Sequence, residues 1–306
     1  MTVAPGLMAI SAGLQLRRLA SKGIRFELID AHYFYPDGVA AVILGLMFGK
    51  PVVITARGTD INMIPNYRFP RSMIRWAARR AGAIIAVSNA LKEKLVELGV
   101  DPDHITVLRN GVDLDYFLPA DKAEARRYCG GWSGTWLLSV GNLIELKGHH
   151  LVIEALTRLP GISLAIIGEG PLEASLKSKA EKMGVSDRVH FIGAVEQEVL
   201  RYYYSAADAL VLASSREGMA NVLLESMACG LPVVATAIGG TPEVIAAPEA
   251  GRLTEERSPA AVASAVQRLL ANYPDRNETR RYAEQFSWDA TTEGQIEVFR
   301  RVSACI

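Results

Sequence analysis

Apolar residues along the chain fall into short continuous runs, each closed by a turn and followed by a stretch with helical spacing. In the first third the runs are Ile24–Asp30, Pro51–Thr55, Ala83–Val87 and Ile105–Leu108. Helical patterns cover Val39–Phe48, Pro70–Ala81 and Asn89–Leu98 between them. The rhythm resumes with WLLSVG, ISLAIIG, RVHFIG, ALVLA and LPVVAT. Helical patterns at His149–Leu159, Leu172–Met183, Val199–Ala206 and Asn221–Cys229 separate these. Unalternating Val/Ile/Leu runs belong to strands buried on both faces, and such strands alternating with helices make a parallel sheet. The predicted class is α/β, with two Rossmann-like, doubly wound parallel-sheet domains. The polar, Gly-rich stretch Asp115–Gly134 is the expected boundary, giving domains of residues 1–118 and 119–287. No strand–Gly-turn–helix unit precedes Ile24, so the first domain is expected to be incomplete at its N-terminus.

Composition narrows the function classes. A chain of 306 residues suits about two domains. Half the residues are apolar and 22% are charged, which excludes disorder, collagen and coiled coil as the main state. Lys plus Arg and Asp plus Glu both number 33, a balance that argues against a nucleic-acid partner. Cys129, Cys229 and Cys305 are far apart with no CxxC, so neither a disulfide framework nor a zinc site is expected. The longest apolar run, Val39–Phe48, is too short to span a bilayer, and the N-terminus lacks a basic stretch before an apolar one. A cytoplasmic location is the expectation. Arg68, Arg71, Arg75, Arg79 and Arg80 interleave with Met73, Ile74 and Trp76. That basic amphipathic pattern over Arg68–Arg80 suits either a solvated helix face or peripheral membrane contact.

In open α/β sheets ligands sit beyond the carboxyl ends of the strands. After WLLSV comes a loop from Gly141-Asn142 to Lys147-Gly148, which fits either a phosphate site or a plain turn with a solvated Lys. Gly168-Glu169-Gly170-Pro171, after ISLAII, is either a tight turn or a place where backbone meets a ligand. After ALVLA comes Ser214 to Glu225, with Asn221 placed to cap a helix, Glu217 before it and Glu225 inside it. Eight residues of pure helix would part the two carboxylates by about 12 Å, too far for the ~5 Å or ~9.5 Å of a hydrolase pair. Two separate hydroxyl-binding roles around a helix start that meets a diphosphate fit better, against simple helix-dipole compensation. Arg57 and Asp60, after PVVIT, either bind an anion or hold a loop. Asp101-Pro102-Asp103 and Asp113-Leu114-Asp115 read as turns, and His149-His150 as a packed or solvated pair. No cluster has metal-ligand spacing, so no metal or other cofactor is expected.

The order of these segments is more specific than any one of them. VGNLIELKG, IIGEGP, RVHFIGAV, SSREGMANVLLESMACGLPVVAT and IGGTPEVI together closely resemble the family-4 retaining glycosyltransferases. DAHYFYPDGVAA, ITARGTDIN, IIAVSNALKEKL and LRNGVDLDYF extend the resemblance through the first block. It implies the GT-B fold, two Rossmann-like domains facing a cleft, with residues 288–306 packing back on the first. It implies metal-independent, retaining transfer of a sugar from a nucleoside-diphosphate sugar to a hydroxyl of a glycan, lipid-linked or small-molecule acceptor. Glu217 would hold sugar hydroxyls, Lys147 would neutralise the diphosphate and Glu225 would bind the ribose. Gly141, Asn142, Gly168, Ile192, Val195, Gly218, Met219, Ala220, Asn221, Val222 and Leu223 would complete the donor site. Arg57 stands where many members carry a catalytic His, with Asp60 beside it on the acceptor side. Asn142 replaces a frequent Arg, and the family's opening strand and Gly-rich loop have no match here. The rival reading is a GT-B protein that binds nucleotide sugar without efficient transfer.

Overall fold

Every pairing between the apolar strands is parallel. The computed structural model describes residues 3–304, so Cys305 lies outside the described residues. One sheet holds β1 (Ile29–His32), β2 (Val52–Ala56), β3 (Ala83–Ala86) and β4 (Ile105–Val107), in that order. The other is built from β5 (Thr135–Val140), β6 (Ile162–Ile167), β7 (Val189–Gly193), β8 (Ala209–Leu212), β9 (Val233–Thr236) and β10 (Gly251–Thr254). Its spatial order is β10-β9-β8-β5-β6-β7. The chain divides into a first unit that ends at Asn110 and resumes at Asp289, and a second unit of Gly111–Trp288. The sequence pattern put the first division later, at 118. Within the second unit Val112 bridges Ser287, and a Cβ on Gly111 would stand 2.6 Å from the Trp288 nitrogen.

Two elements of the first unit differ from the sequence expectation. Residues Ala4–Ser21 form a helix that the hydrophobic pattern did not show. Its inward face is made of small residues, Ala9 and Gly13, against Leu44 of the helix Val39–Phe48. Its large residues Leu7, Ile10 and Leu14 point outward, so it has no conventional apolar stripe. The first strand is Ile29–His32 rather than Ile24–Asp30, because only at Ile29 does the chain reach its partner: the Ile29 N–H donates to Pro51 O at 3.0 Å. The C-terminal helix Trp288–Ser303 buries Val298 and Val302 against Val53, Ala83 and Ile85.

In the second unit the chain winds from β5 through β6 to β7 in one direction and from β8 through β9 to β10 in the other. The reversal lies between β5 and β8, the position where open α/β sheets leave a crevice at their carboxyl edge. Glycines let the loops at this edge pack backbone against backbone. Gly168, after β6, has φ +134°, and a Cβ there would stand 2.1 Å from Gly141 O. Gly148 has φ +74°, and a Cβ would stand 2.0 Å from Ala213 O, after β8. Beneath the loop, His149 is 1% exposed and its Nδ1 lies 2.9 Å from the Ser139 Oγ of β5. Burial holds the imidazole neutral, with its pKa lowered from 6.5 to about 4.

Two stability predictions follow from these contacts. Gly161 also has positive φ, at +73°, but nothing lies within 4 Å of its would-be Cβ. Gly161→Ala should cost about 1–2 kcal/mol from conformation alone, and Gly168→Ala distinctly more, from the added backbone clash. Urea denaturation measures both, and equal costs would contradict the close approach. His149 takes up its proton in the unfolded chain near pH 6.5 but in the native one only near 4. Stability should therefore fall as pH drops through that window, by about 3 kcal/mol. His149→Gln should flatten that part of the stability–pH curve, and an unchanged slope would reject the assignment.

Candidate active site

The side chains singled out in the second unit converge at the switch point. Lys147 follows β5 and Glu217 follows β8; the Lys147 Nζ donates to Glu217 Oε1 at 2.8 Å. The Ser214 hydroxyl donates to the same oxygen at 2.8 Å. Ser214 is itself fixed, since its carbonyl accepts from the Thr236 hydroxyl at 2.6 Å. Both charged side chains are largely buried, so this pair is far less screened than a surface ion pair. Gly141 lies under the Lys147 stem, where a Cβ would sit 3.4 Å from its Cδ. The Gly141 N–H donates to Ile167 O, and the Gly168 N–H to Gly193 O, which ties the ends of β5, β6 and β7 into one floor. Ile192 lies on β7 and Val195 just beyond it, both half-buried beside that floor.

The segment Gly218–Ala220 is buried, and the Gly240 N–H donates to Gly218 O at 3.0 Å. The helix that follows is Asn221–Ala228, and its cap is Ala220, which offers no side-chain acceptor. Asn221 is thus the first helical residue and not the cap that the sequence suggested: the braced Gly218 turn brings the backbone into helical geometry one residue early. The cap residue itself makes no side-chain bond to the start of this helix, and a helix N-terminus is a place that favours an anion. Leu223 is fully buried and its N–H turns back to Ala220 O at 3.1 Å, and Val222 is half-buried. Glu225 lies on the same helix, where its Oε2 accepts from the Tyr204 hydroxyl at 2.9 Å. Burial raises the Glu225 pKa above 4.5, and the Tyr204 hydrogen bond offsets part of that rise. Tyr204 is fully buried, and burial, then the Glu225 charge, push its own pKa well above 10. Tyr204 and Ser214 carried no sequence signal, because each acts through a partner distant in sequence or ordinary in type.

In the first unit, Arg57 and Asp60 part company. Asp60 is fully buried and accepts N–H bonds from Phe34 at 2.9 Å, Arg57 at 3.1 Å and Gly58 at 2.7 Å. Burial raises its pKa, and these amides pull it back down. Its carboxylate braces the loop, the loop-holding alternative that the sequence left open. The Arg57 guanidinium instead meets His32 Nδ1 at 2.6 Å and Asn110 Oδ1 at 3.0 Å. An Arg only donates, so His32 Nδ1 is the acceptor and its proton sits on Nε2, 3.2 Å from Asp30 Oδ2. Their pairing with Arg57 escaped sequence reading, since neither His32 nor Asn110 sits beside Arg57 in the chain.

The two DxD strings are structural. Asp101 Oδ1 accepts from the Asp103 N–H, and Asp113 Oδ1 from those of Asp115 and Tyr116, so both DxD strings make turns. The basic pattern at Arg68–Arg80 is the helix Arg68–Ala78, with Arg68, Arg75 and Arg79 exposed. No helix among the described residues is long and apolar enough to cross a membrane.

Comparison with known proteins agrees with this arrangement. The profile for glycosyl transferases group 1 matches residues 134–286, and that for Glycosyltransferase Family 4 matches residues 3–116. The D-inositol 3-phosphate glycosyltransferase of Frankia alni is 31% identical over 90% of this chain and 74% of its own length. The protein of the same name from Mycobacteroides abscessus is 29% identical over 97% of this chain and 71% of its own. Among solved structures, Anabaena HepE in complex with UDP superposes with a TM-score of 0.84 at 21% identity, covering 94% of this chain and 81% of that one. The two parallel sheets have the GT-B fold. By profile, by relatives and by fold, the chain is a glycosyltransferase and belongs to family 4, the group 1 glycosyl transferases.

Proposed function

We propose that the protein moves a sugar from a nucleoside-diphosphate sugar to an acceptor hydroxyl, with retention of configuration. The observation that carries this reading is the Lys147–Glu217 pair, 2.8 Å apart at the switch point and flanked by a helix start. As the sugar C1–O bond breaks, the departing diphosphate gains one negative charge on its leaving oxygen, added to those the donor already carries. Lys147 and the N–H groups from Asn221 onward supply fixed positive potential where that charge develops, in a largely buried setting that strengthens it. Glu217, held at one oxygen by Lys147 and Ser214, orients hydroxyls of the transferred sugar. Glu225, oriented by Tyr204 on the same helix, takes the ribose hydroxyls. Asn142 adds no charge where a frequent Arg would, which leaves Lys147 as the principal counter-charge of this loop. The family match supports retention, and the UDP held by the Anabaena protein supports a nucleoside diphosphate as leaving group. The Frankia and Mycobacteroides relatives are named for an inositol phosphate, a polyhydroxylated acceptor of small size.

Calorimetric titration with UDP-, GDP- and ADP-linked sugars, without added metal, tests the donor site. One donor should bind saturably. Glu225→Ala should weaken it by about tenfold to a hundredfold, the worth of a hydrogen bond to a charged group, with the fold intact. Unchanged affinity would remove the ribose role. Lys147→Met should lower kcat by about 10²–10³, the usual cost of one donor to a developing oxyanion. A loss confined to KM would instead assign Lys147 to ground-state binding.

A further inference from the structure

The amino-terminal edge of the four-stranded sheet carries a cavity of about 620 Å³, within the range that holds a small ligand. Pro51 and Val52 enter β2 there and Gly82 leads into β3. Arg57 follows the opposite end of β2, about 17 Å along the strand at a parallel rise. The cavity is therefore separate from the candidate active site. Its polar lining is cationic: Lys50, Arg80 and Arg301, with no Asp or Glu among the described residues that line it. Its walls are apolar, including Leu46, Pro51 and Val302. Each cation is braced by a neighbour. Lys50 lies 6.0 Å from the Phe26 ring centroid, Arg80 stacks at 4.8 Å over Trp76, and Arg301 reaches Thr106 Oγ1 at 3.4 Å.

The surroundings extend the same chemistry. The chain as a whole has no net charge, yet the first unit holds 16 Lys and Arg against 11 Asp and Glu, and the second holds 17 against 22. Residues 61–92 contain no acid at all. On the helix within them, Arg68, Arg75 and Arg79 are exposed without a carboxylate at helical spacing, an arrangement whose like charges repel. Leu46 is 65% exposed at the cavity, and Met47 beside it is 52% exposed. A soluble anion would satisfy the cations and leave these apolar side chains in water. A ligand with a phosphate next to hydrocarbon satisfies both.

We propose that this cavity receives the headgroup of an anionic phospholipid and docks the first unit on an anionic bilayer surface. Lys50, Arg80 and Arg301 surround the phosphate, and Leu46 and Met47 enter the acyl boundary. This reading stands apart from the transferase assignment, since no residue of the candidate active site takes part.

Co-sedimentation with phosphatidylcholine vesicles, with and without phosphatidylglycerol, tests it. The protein should bind only the vesicles that contain phosphatidylglycerol. The triple variant Lys50→Gln, Arg80→Gln, Arg301→Gln should lose about tenfold or more in affinity. Arg127→Gln, Lys177→Gln, Lys182→Gln removes equal charge from exposed positions of the second unit and should lose clearly less. Equal losses, binding to phosphatidylcholine alone, or no binding to either vesicle would overturn the proposal. A second measurement needs no variant: monomeric short-chain phosphatidylglycerol should raise the Tm, and glycerol phosphate at equal concentration should not. Equal shifts, or none with the lipid, would also overturn it.

Discussion

Parallel pairing is the constraint from which the chemistry of the second unit follows. It sends every strand's carboxyl end to the same edge of the sheet, and the reversal between β5 and β8 opens that edge at one place. Lys147 and Glu217 are 70 residues apart, and no local interaction could bring them together. They meet because β5 and β8 are hydrogen-bonded neighbours whose following loops must share the switch point. The glycines are a second consequence. Loops crowded at one edge approach backbone to backbone, and Gly148 and Gly168 sit where any Cβ would overlap a carbonyl oxygen. The Gly-rich look of this region thus serves packing, and the N–H groups of Gly141 and Gly168 go to Ile167 O and Gly193 O.

Burial then decides how the charges behave. The Lys147–Glu217 pair sits in a setting that screens it weakly, so removing either member leaves an uncompensated charge. Glu225 is in a different state: its raised pKa reflects desolvation, countered by Tyr204. Two carboxylates on one short segment thus sit in different surroundings, Glu217 against an ammonium and a hydroxyl and Glu225 against a buried phenol.

The strands were legible wherever burial on both faces demanded an unbroken apolar run. PVVIT, AIIAV, ISLAII and ALVLA all fall on strands. β10 was not named, because GRLT at the sheet edge is half polar and carries no such run. The helix Ala4–Ser21 escaped for the opposite reason: it packs through Ala9 and Gly13, which a hydrophobic pattern does not weigh. Of the site, the residues following strand ends could be read from motif order, but their partners could not. Ser214, Tyr204, His32 and Asn110 are ordinary residues made special by tertiary placement. The cap expected at Asn221 failed by a single residue, since the Gly218–Gly240 bond sets where the helix begins and no propensity reports it.

Arg57 shows what a changed residue does to the chemistry available in the first unit. A histidine at that position could hold or pass a proton near neutral pH, whereas a guanidinium stays charged. The surroundings are arranged for the charge. His32 turns its lone pair to Arg57 and its N–H to Asp30, and Asn110 adds its carbonyl oxygen. His32 is thereby committed to orienting Arg57 and has no lone pair left for a substrate proton. Asp60 is equally committed, to the amides of its loop. What this cluster offers is therefore a fixed positive charge with a defined direction. Its chemistry is electrostatic placement and not proton transfer, because neither the guanidinium nor the committed His32 and Asp60 has a site open to take a proton.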